Sequence, residues 1–151
     1  MSEAKVENTF KKNKNSLIKF FGRKGLLGSD IEKLGKKLFG TKWVGVHSVD
    51  NYPLTKSGYG IINTDTSNGP GIHWIAIYST PKKIYVYDSF ARKSSSVLKL
   101  FHDKALEKQF RVINSDLSDK EQRSNEKICG QLSLAWLMTV KEKGIMKALK
   151  I

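Results

Sequence analysis

The chain has 151 residues, 39% of them hydrophobic and 10% aromatic, with 27 Lys and Arg against 14 Asp and Glu. That length and composition suit one soluble globular domain with a core of its own, spanning 1–151. A lone cysteine excludes an internal disulfide framework, and no apolar run approaches the roughly 20 residues that cross a bilayer.

The net charge of +13 is spread along the chain, +6 over 1–50, +4 over 51–100 and +3 over 101–151. A field of that sign attracts polyanions, of which nucleic acid is the commonest. A merely solvated basic surface explains the same charge equally well. The polar start, Met1 to Asn15, has no apolar signal-peptide core, so an intracellular or intravirion setting without membrane attachment is expected.

In chain order, residues 1–13 are polar and Lys-rich and read as a flexible basic arm. Leu17, Ile18, Phe20 and Phe21 predict a short helix stopped by Gly22. Ser29-Asp30-Ile31-Glu32 has the capping-box form, which predicts a helix from Asp30 to Phe39 ended by Gly40. Trp43 to Val46 reads as extended, Asn51-Tyr52-Pro53 as a turn, and Tyr59 to Asn63 as a strand. Thr66 to Gly71 is rich in turn formers. Ile72 to Ser79 and Lys83 to Ser89 are β-branched and aromatic runs joined by Thr80-Pro81-Lys82, which predicts a hairpin. Ser95 to Lys108 has helical spacing and Phe110 to Asn114 reads as a strand. A polar stretch, 115–127, leads to a strongly apolar helix, Gln131 to Lys143, which belongs in the interior. The neighbouring hairpin signals predict an α+β fold with a central, mainly antiparallel sheet packed by helices.

Four residues combine into a chemistry. Cys129 stands at a loop-to-helix junction, where the helix dipole favours a thiolate. Gly130 follows it and leaves room for a substrate backbone. His73 lies near the start of one predicted strand and Asp88, 15 residues on, near the end of the next. In a hairpin those two ends adjoin, so the carboxylate can reach the imidazole. Gln122, in the polar segment seven residues before the cysteine, can aim an amide at an oxyanion. Alone, each residue has a plain structural reading: a small buried thiol, a core histidine, a turn aspartate, an exposed amide. Together they are the parts of a cysteine hydrolase. His102, on a predicted helix, and His47, with no facing carboxylate, fit less well. Trp74 is either core or one wall of a narrow cleft. The Cys and His content offers no zinc set, and no cofactor is expected.

The order of Gly71-Ile72-His73-Trp74, Tyr87-Asp88-Ser89-Phe90, Gln122 and Cys129-Gly130 resembles that of the adenovirus-type maturation proteases, related to the SUMO-deconjugating proteases. The similarity covers roughly residues 15–143. It implies an adenain-like, papain-like cysteine protease fold with the nucleophile at the N-terminus of a buried helix. It assigns Cys129, His73, Asp88 and Gln122 to catalysis, and places Trp74 and Gly130 at the substrate. Asp88 stands where the adenovirus enzymes have Glu and the SUMO proteases Asp. The implied function is a viral cysteine endopeptidase that cleaves capsid or core precursor proteins at Gly-containing sites, in the virion and the infected cell. A peptide activator is implied too, and the absence of a second cysteine excludes tethering it through one. Two alternatives stay open: deconjugation of a ubiquitin-like protein, and a non-enzymatic basic protein that packages nucleic acid.

Overall fold

A computed structural model describes residues 2–65, 73–118, 120–122 and 126–151, with backbone alone for 2–4. The predicted turn-forming segment Thr66 to Gly71 lies outside the described residues.

Helix α1 runs from Ser2 to Phe21 and α2 from Gly28 to Phe39, followed by a single 3-10 turn and strand β1, Trp43–Ser48. Strands β2 (Gly58–Asn63), β3 (Trp74–Ser79) and β4 (Lys83–Tyr87) come next. Two short helices, α3 (Ser94–Val97) and α4 (Lys99–Glu107), then lead to β5 (Arg111–Asn114). Helix α5 (Cys129–Lys143) and a short α6 (Ile145–Ala148) complete the order.

The five strands form one sheet in the order β1-β2-β3-β4-β5. The α+β reading holds, and the sheet is mixed rather than mainly antiparallel. Only β2–β3 and β3–β4 are antiparallel; β1–β2 and β4–β5 are parallel. The reason lies in the connections. A tight hairpin at 80–82 joins β3 to β4, whereas β4 reaches β5 through α3 and α4, a crossover that brings the chain back in the same direction.

Both faces of the sheet are covered. On one, Ile61, Ala76, Tyr85 and Tyr87 pack against buried residues of α1, α2 and α5. On the other, Ile62, Ile75, Ile77, Ile84 and Val86 pack against Leu98, Phe101 and Ala105 at the α3–α4 segment. Burial on both sides explains why β3 and β4 read as continuous apolar runs instead of alternating ones. Among the described residues no helix is long and apolar enough to cross a membrane.

The predicted basic arm is instead helix. Val6, Phe10, Asn13 and Leu17 are all buried, at spacings of three and four that place them on one helical face. The stripe packs on α5: the Asn13 amide donates to Thr139 Oγ1 at 3.2 Å, and Phe10 meets Tyr87 edge-on. Lys11, Lys12 and Lys14 lie between these positions and hide the pattern in the sequence. Helix α1 ends where expected, at Gly22, whose φ of 83° suits glycine.

Helix α2 also begins differently. It starts at Gly28, and the Asp30 carboxylate accepts from the Leu27 N–H at 3.4 Å; Ser29 is not the cap. Glu32 faces β1 instead of the helix start. Its carboxylate accepts from Trp43 Nε1 and from the Val46 N–H, each at 3.0 Å. The β1 register slips between Trp43 and Gly45, where φ is 122°. Glu32 thereby satisfies a backbone donor beside that irregularity on the edge strand. The predicted single helix from Ser95 to Lys108 is broken at Leu98, whose buried side chain belongs to the second core.

Candidate functional site

Helix α5 is the axis of the site. Cys129 is its first residue, so the backbone N–H there has no acceptor within the helix. The helix is anchored near this end by Ser133, whose hydroxyl donates to Trp74 O at 3.1 Å. Gln131 Nε2 donates to Gly22 O and Lys24 O, at 2.9 and 2.8 Å, and so holds the segment between α1 and α2 over the helix start. Trp74 Nε1 donates to Leu26 O at 3.0 Å and ties the same segment to β3.

These anchors set His73, just before β3, beside the Cys129 thiol, near enough for each group to shift the other's pKa. Asp88 follows β4 directly. His73 Nε2 lies 2.7 Å from Asp88 Oδ1. A carboxylate only accepts, so Nε2 carries the hydrogen and Nδ1 is left for the sulfur. The Trp74 backbone N–H also points at Cys129 Sγ, at 3.5 Å. Thiol, imidazole and carboxylate thus stand in one line, with His73 and Asp88 buried.

The electrostatics follow from that line. Burial raises the thiol pKa, but hydrogen bonding to His73, the imidazolium charge and the Trp74 and Gly130 amides outweigh it, and Cys129 titrates below its ordinary value. Burial likewise disfavours the imidazolium, yet Asp88 and Cys129 hold His73 above its ordinary value. Asp88, desolvated but bonded to His73, the Phe90 amide and Arg92, lies below the usual carboxylate range. Each shift favours the thiolate–imidazolium pair, which titrates as a coupled unit.

Gln122 is 3% exposed and lines the same cavity as Cys129, His73 and Trp74. Its segment is fixed by the Glu121 N–H donating to Ser89 O and by the Tyr87 hydroxyl donating to Glu121 Oε1, both at 2.9 Å. Among the described residues Gln122 Oε1 has no hydrogen-bond partner. The cavity measures about 590 Å³, with Leu26, Leu27 and Gly28 forming a wall beside Trp74.

A scan of protein-family models and a search of curated proteins find no match to this chain.

The structure brings His73, Asp88, Cys129 and, at the same cavity, Gln122 and Trp74 together. Trp74 is half-buried and serves both as cavity wall and as an anchor for Leu26. Gly130 plays a different part from the open space expected. It is buried and absent from the cavity lining, and a Cβ there would meet Leu26 side-chain atoms at 3.1–3.3 Å. Its small size admits Leu26, which lines the cavity. His47 and His102 stand apart: His47 Nε2 contacts Val44 O, and His102 Nδ1 contacts Ser94 Oγ. Among the described residues, no group of three or more His, Cys, Asp or Glu is placed to hold a metal ion.

Sequence reasoning missed Phe90 and Arg92. After Asp88 the chain turns, with the Ala91 N–H donating to Asp88 O at 2.8 Å and Ala91 at a φ of 56°. A left-handed alanine costs about 1 kcal/mol or more, strain held beside the site. The turn returns Arg92 to Asp88, Nε to Oδ2 at 2.9 Å, and lays its guanidinium over the Phe90 ring at 5.1 Å. Phe90 in turn packs on His73, with ring centroids 4.9 Å apart. The only available signal was an arginine four residues after the aspartate, a spacing that means contact in a helix but nothing definite in a turn.

Proposed function

We propose that this protein is a cysteine endopeptidase of the viral maturation type, acting on capsid or core precursors at Gly-containing sites. The observation that carries the reading is the buried line from Cys129 through His73 to Asp88, opening on a cavity that also holds the Gln122 amide. The similarity of the four sequence motifs to the adenovirus-type proteases supplies the substrate class.

In this mechanism His73 Nδ1 takes the thiol proton, and the Cys129 sulfur bonds to the peptide carbonyl carbon. The carbonyl π electrons move onto oxygen. Gln122 and the Cys129 backbone N–H, which has no acceptor within the helix, then stabilise the oxyanion. His73 returns its proton to the leaving nitrogen as the peptide C–N bond breaks. Water, deprotonated by the same imidazole, then bonds to the thioester carbon, and the C–S bond breaks to free the carboxylic acid and return the Cys129 thiolate beside a protonated His73. Asp88 holds Nε2–H throughout and stabilises the imidazolium.

The direct test is incubation of a mixed peptide library with the protein and with its Cys129→Ala variant, followed by mass spectrometry of the products. Cleavage by the first and not the second is expected. No cleavage, or cleavage that survives loss of the thiol, would sink the reading. Cleavage confined to ubiquitin-like C-terminal tails would replace maturation by deconjugation.

Gln122→Ala should lower kcat by about 10²- to 10³-fold with little change in KM, because an oxyanion donor acts mainly in the transition state. A raised KM at unchanged kcat would move Gln122 to substrate binding.

The net charge of +13 supports nucleic acid as a second, sequence-independent partner. Fluorescence anisotropy with unrelated labelled duplexes should show binding that weakens steeply as salt rises. Salt-independent affinity, or none at about 50 mM salt, would remove that partner and leave the protease reading intact.

A further inference from the structure

We propose that Arg92 reads a carboxylate in the substrate, on the leaving-group side of the scissile bond, so that the preferred substrates are peptides with Asp or Glu just after the cleavage point. This rests on the protease reading above.

Arg92 is held from within the protein. Its Nε donates to Asp88 Oδ2 at 2.9 Å, and its guanidinium lies over the Phe90 ring. Two contacts fix the plane of the group from within the protein. The side chain is nonetheless 45% exposed and lines the cavity that contains Cys129 and His73. Among the described residues its two terminal nitrogens have no partner. A planar fork with an occupied inner edge and a vacant outer edge suits bidentate capture of a carboxylate. The ordering entropy that a free arginine would lose on binding is already spent.

The charges around the cavity agree. Asp88, the carboxylate nearest Arg92, is 1% exposed and engaged on both oxygens. Glu126, which also lines the cavity, is paired with Arg23 at 2.8 Å. Lys127 is exposed at the same cavity. Among the described residues the reachable charge is therefore positive. The side of the cleft follows from the chemistry. The imidazole must protonate the leaving nitrogen, so the leaving peptide lies toward His73. Arg92 stands on that side: it shares Asp88 with His73, and both side chains pack on the Phe90 ring.

Because Arg92 also touches Asp88, its replacement affects turnover generally, and the test must separate the two effects. The full chain and an Arg92→Gln variant, which keeps an N–H donor for Asp88, would each digest the mixed peptide library. The readout is the ratio of acidic to matched amide residues, Glu to Gln and Asp to Asn, just after each cleaved bond. The full chain should favour the acid by about tenfold, the scale of one charge-assisted pair in a partly exposed site. The variant should lose that enrichment, whatever its overall rate. Cys129-dependent cleavage without acidic enrichment would overturn this inference alone. Enrichment unchanged in Arg92→Gln would overturn it too, leaving Arg92 as a group that only positions Asp88 and assigning the preference to Lys127. Absence of any Cys129-dependent cleavage would remove the protease reading itself, and this inference with it.

Discussion

Replacing either Cys129 or His73 by alanine should lower kcat by about 10⁴-fold or more, and the double variant should be no worse than the worse single one. Without the sulfur no covalent intermediate forms. Without the imidazole the thiol proton has no acceptor and the leaving nitrogen no donor. The two groups act as one unit, so their losses do not add. Steady-state turnover of one cleaved library peptide measures this directly. Thermal melts are the control, because His73 is buried against Asp88. Additive losses in the double variant would mean that the two residues act independently.

Asp88→Asn should lower kcat by about 10²- to 10⁴-fold while the protein stays folded. Asp88 accepts three hydrogen bonds, from His73, the Phe90 N–H and Arg92. An asparagine of the same shape has one accepting oxygen and one donating nitrogen, so either His73 or Arg92 then faces a donor. With the nitrogen toward His73, the imidazole turns to its other tautomer, with a hydrogen on the nitrogen that must receive the thiol proton. With it toward Arg92, the arginine loses its acceptor and the imidazolium the full negative charge beside it. Stability should change with pH as well. The Asp88 pKa is lowered by folding, so its contribution is complete above the unfolded carboxylate's pKa and is lost as pH falls through the folded value. The His73 pKa is raised by folding, so its contribution is complete below the unfolded imidazole's pKa and is lost as pH rises through the folded value. Asp88→Asn should shrink both dependences. Turnover equal to that of the unaltered protein would show that Asp88 does not orient the base.

The site was more legible in the sequence than the fold around it. The His73–Asp88 contact follows from one local fact, a hairpin turn at 80–82 that sets the end of β4 beside the start of β3. Cys129 was legible because a polar stretch meets an apolar helix there. Sheet topology was not, since an apolar strand buried on both faces carries no mark of its neighbour's direction, as β4 shows beside β5. The N-terminal part of helix α1 was hidden, because four buried residues were spread over twelve positions among lysines, and only its end before Gly22 was legible. Glu32 misled more directly. Its place after Ser29 fits a helix cap, but the edge strand offered it two stronger donors, Trp43 and Val46. Gly130 was legible as a need for space, though not for which neighbour; Leu26 fills it.

The central claim is that Cys129 is held as a thiolate by His73. The most direct measurement is the rate of Cys129 alkylation by iodoacetamide across pH, in the unaltered protein and in His73→Ala. The folded thiol pKa is lowered and the imidazole pKa raised, so the unaltered protein should react rapidly well below the ordinary thiol range, near pH 6–7, where a free cysteine of pKa about 8.5 is mostly protonated. His73→Ala should lose that acidic reactivity and follow a single titration at higher pH. Two coincident curves, each rising near the ordinary thiol pKa, would contradict the account.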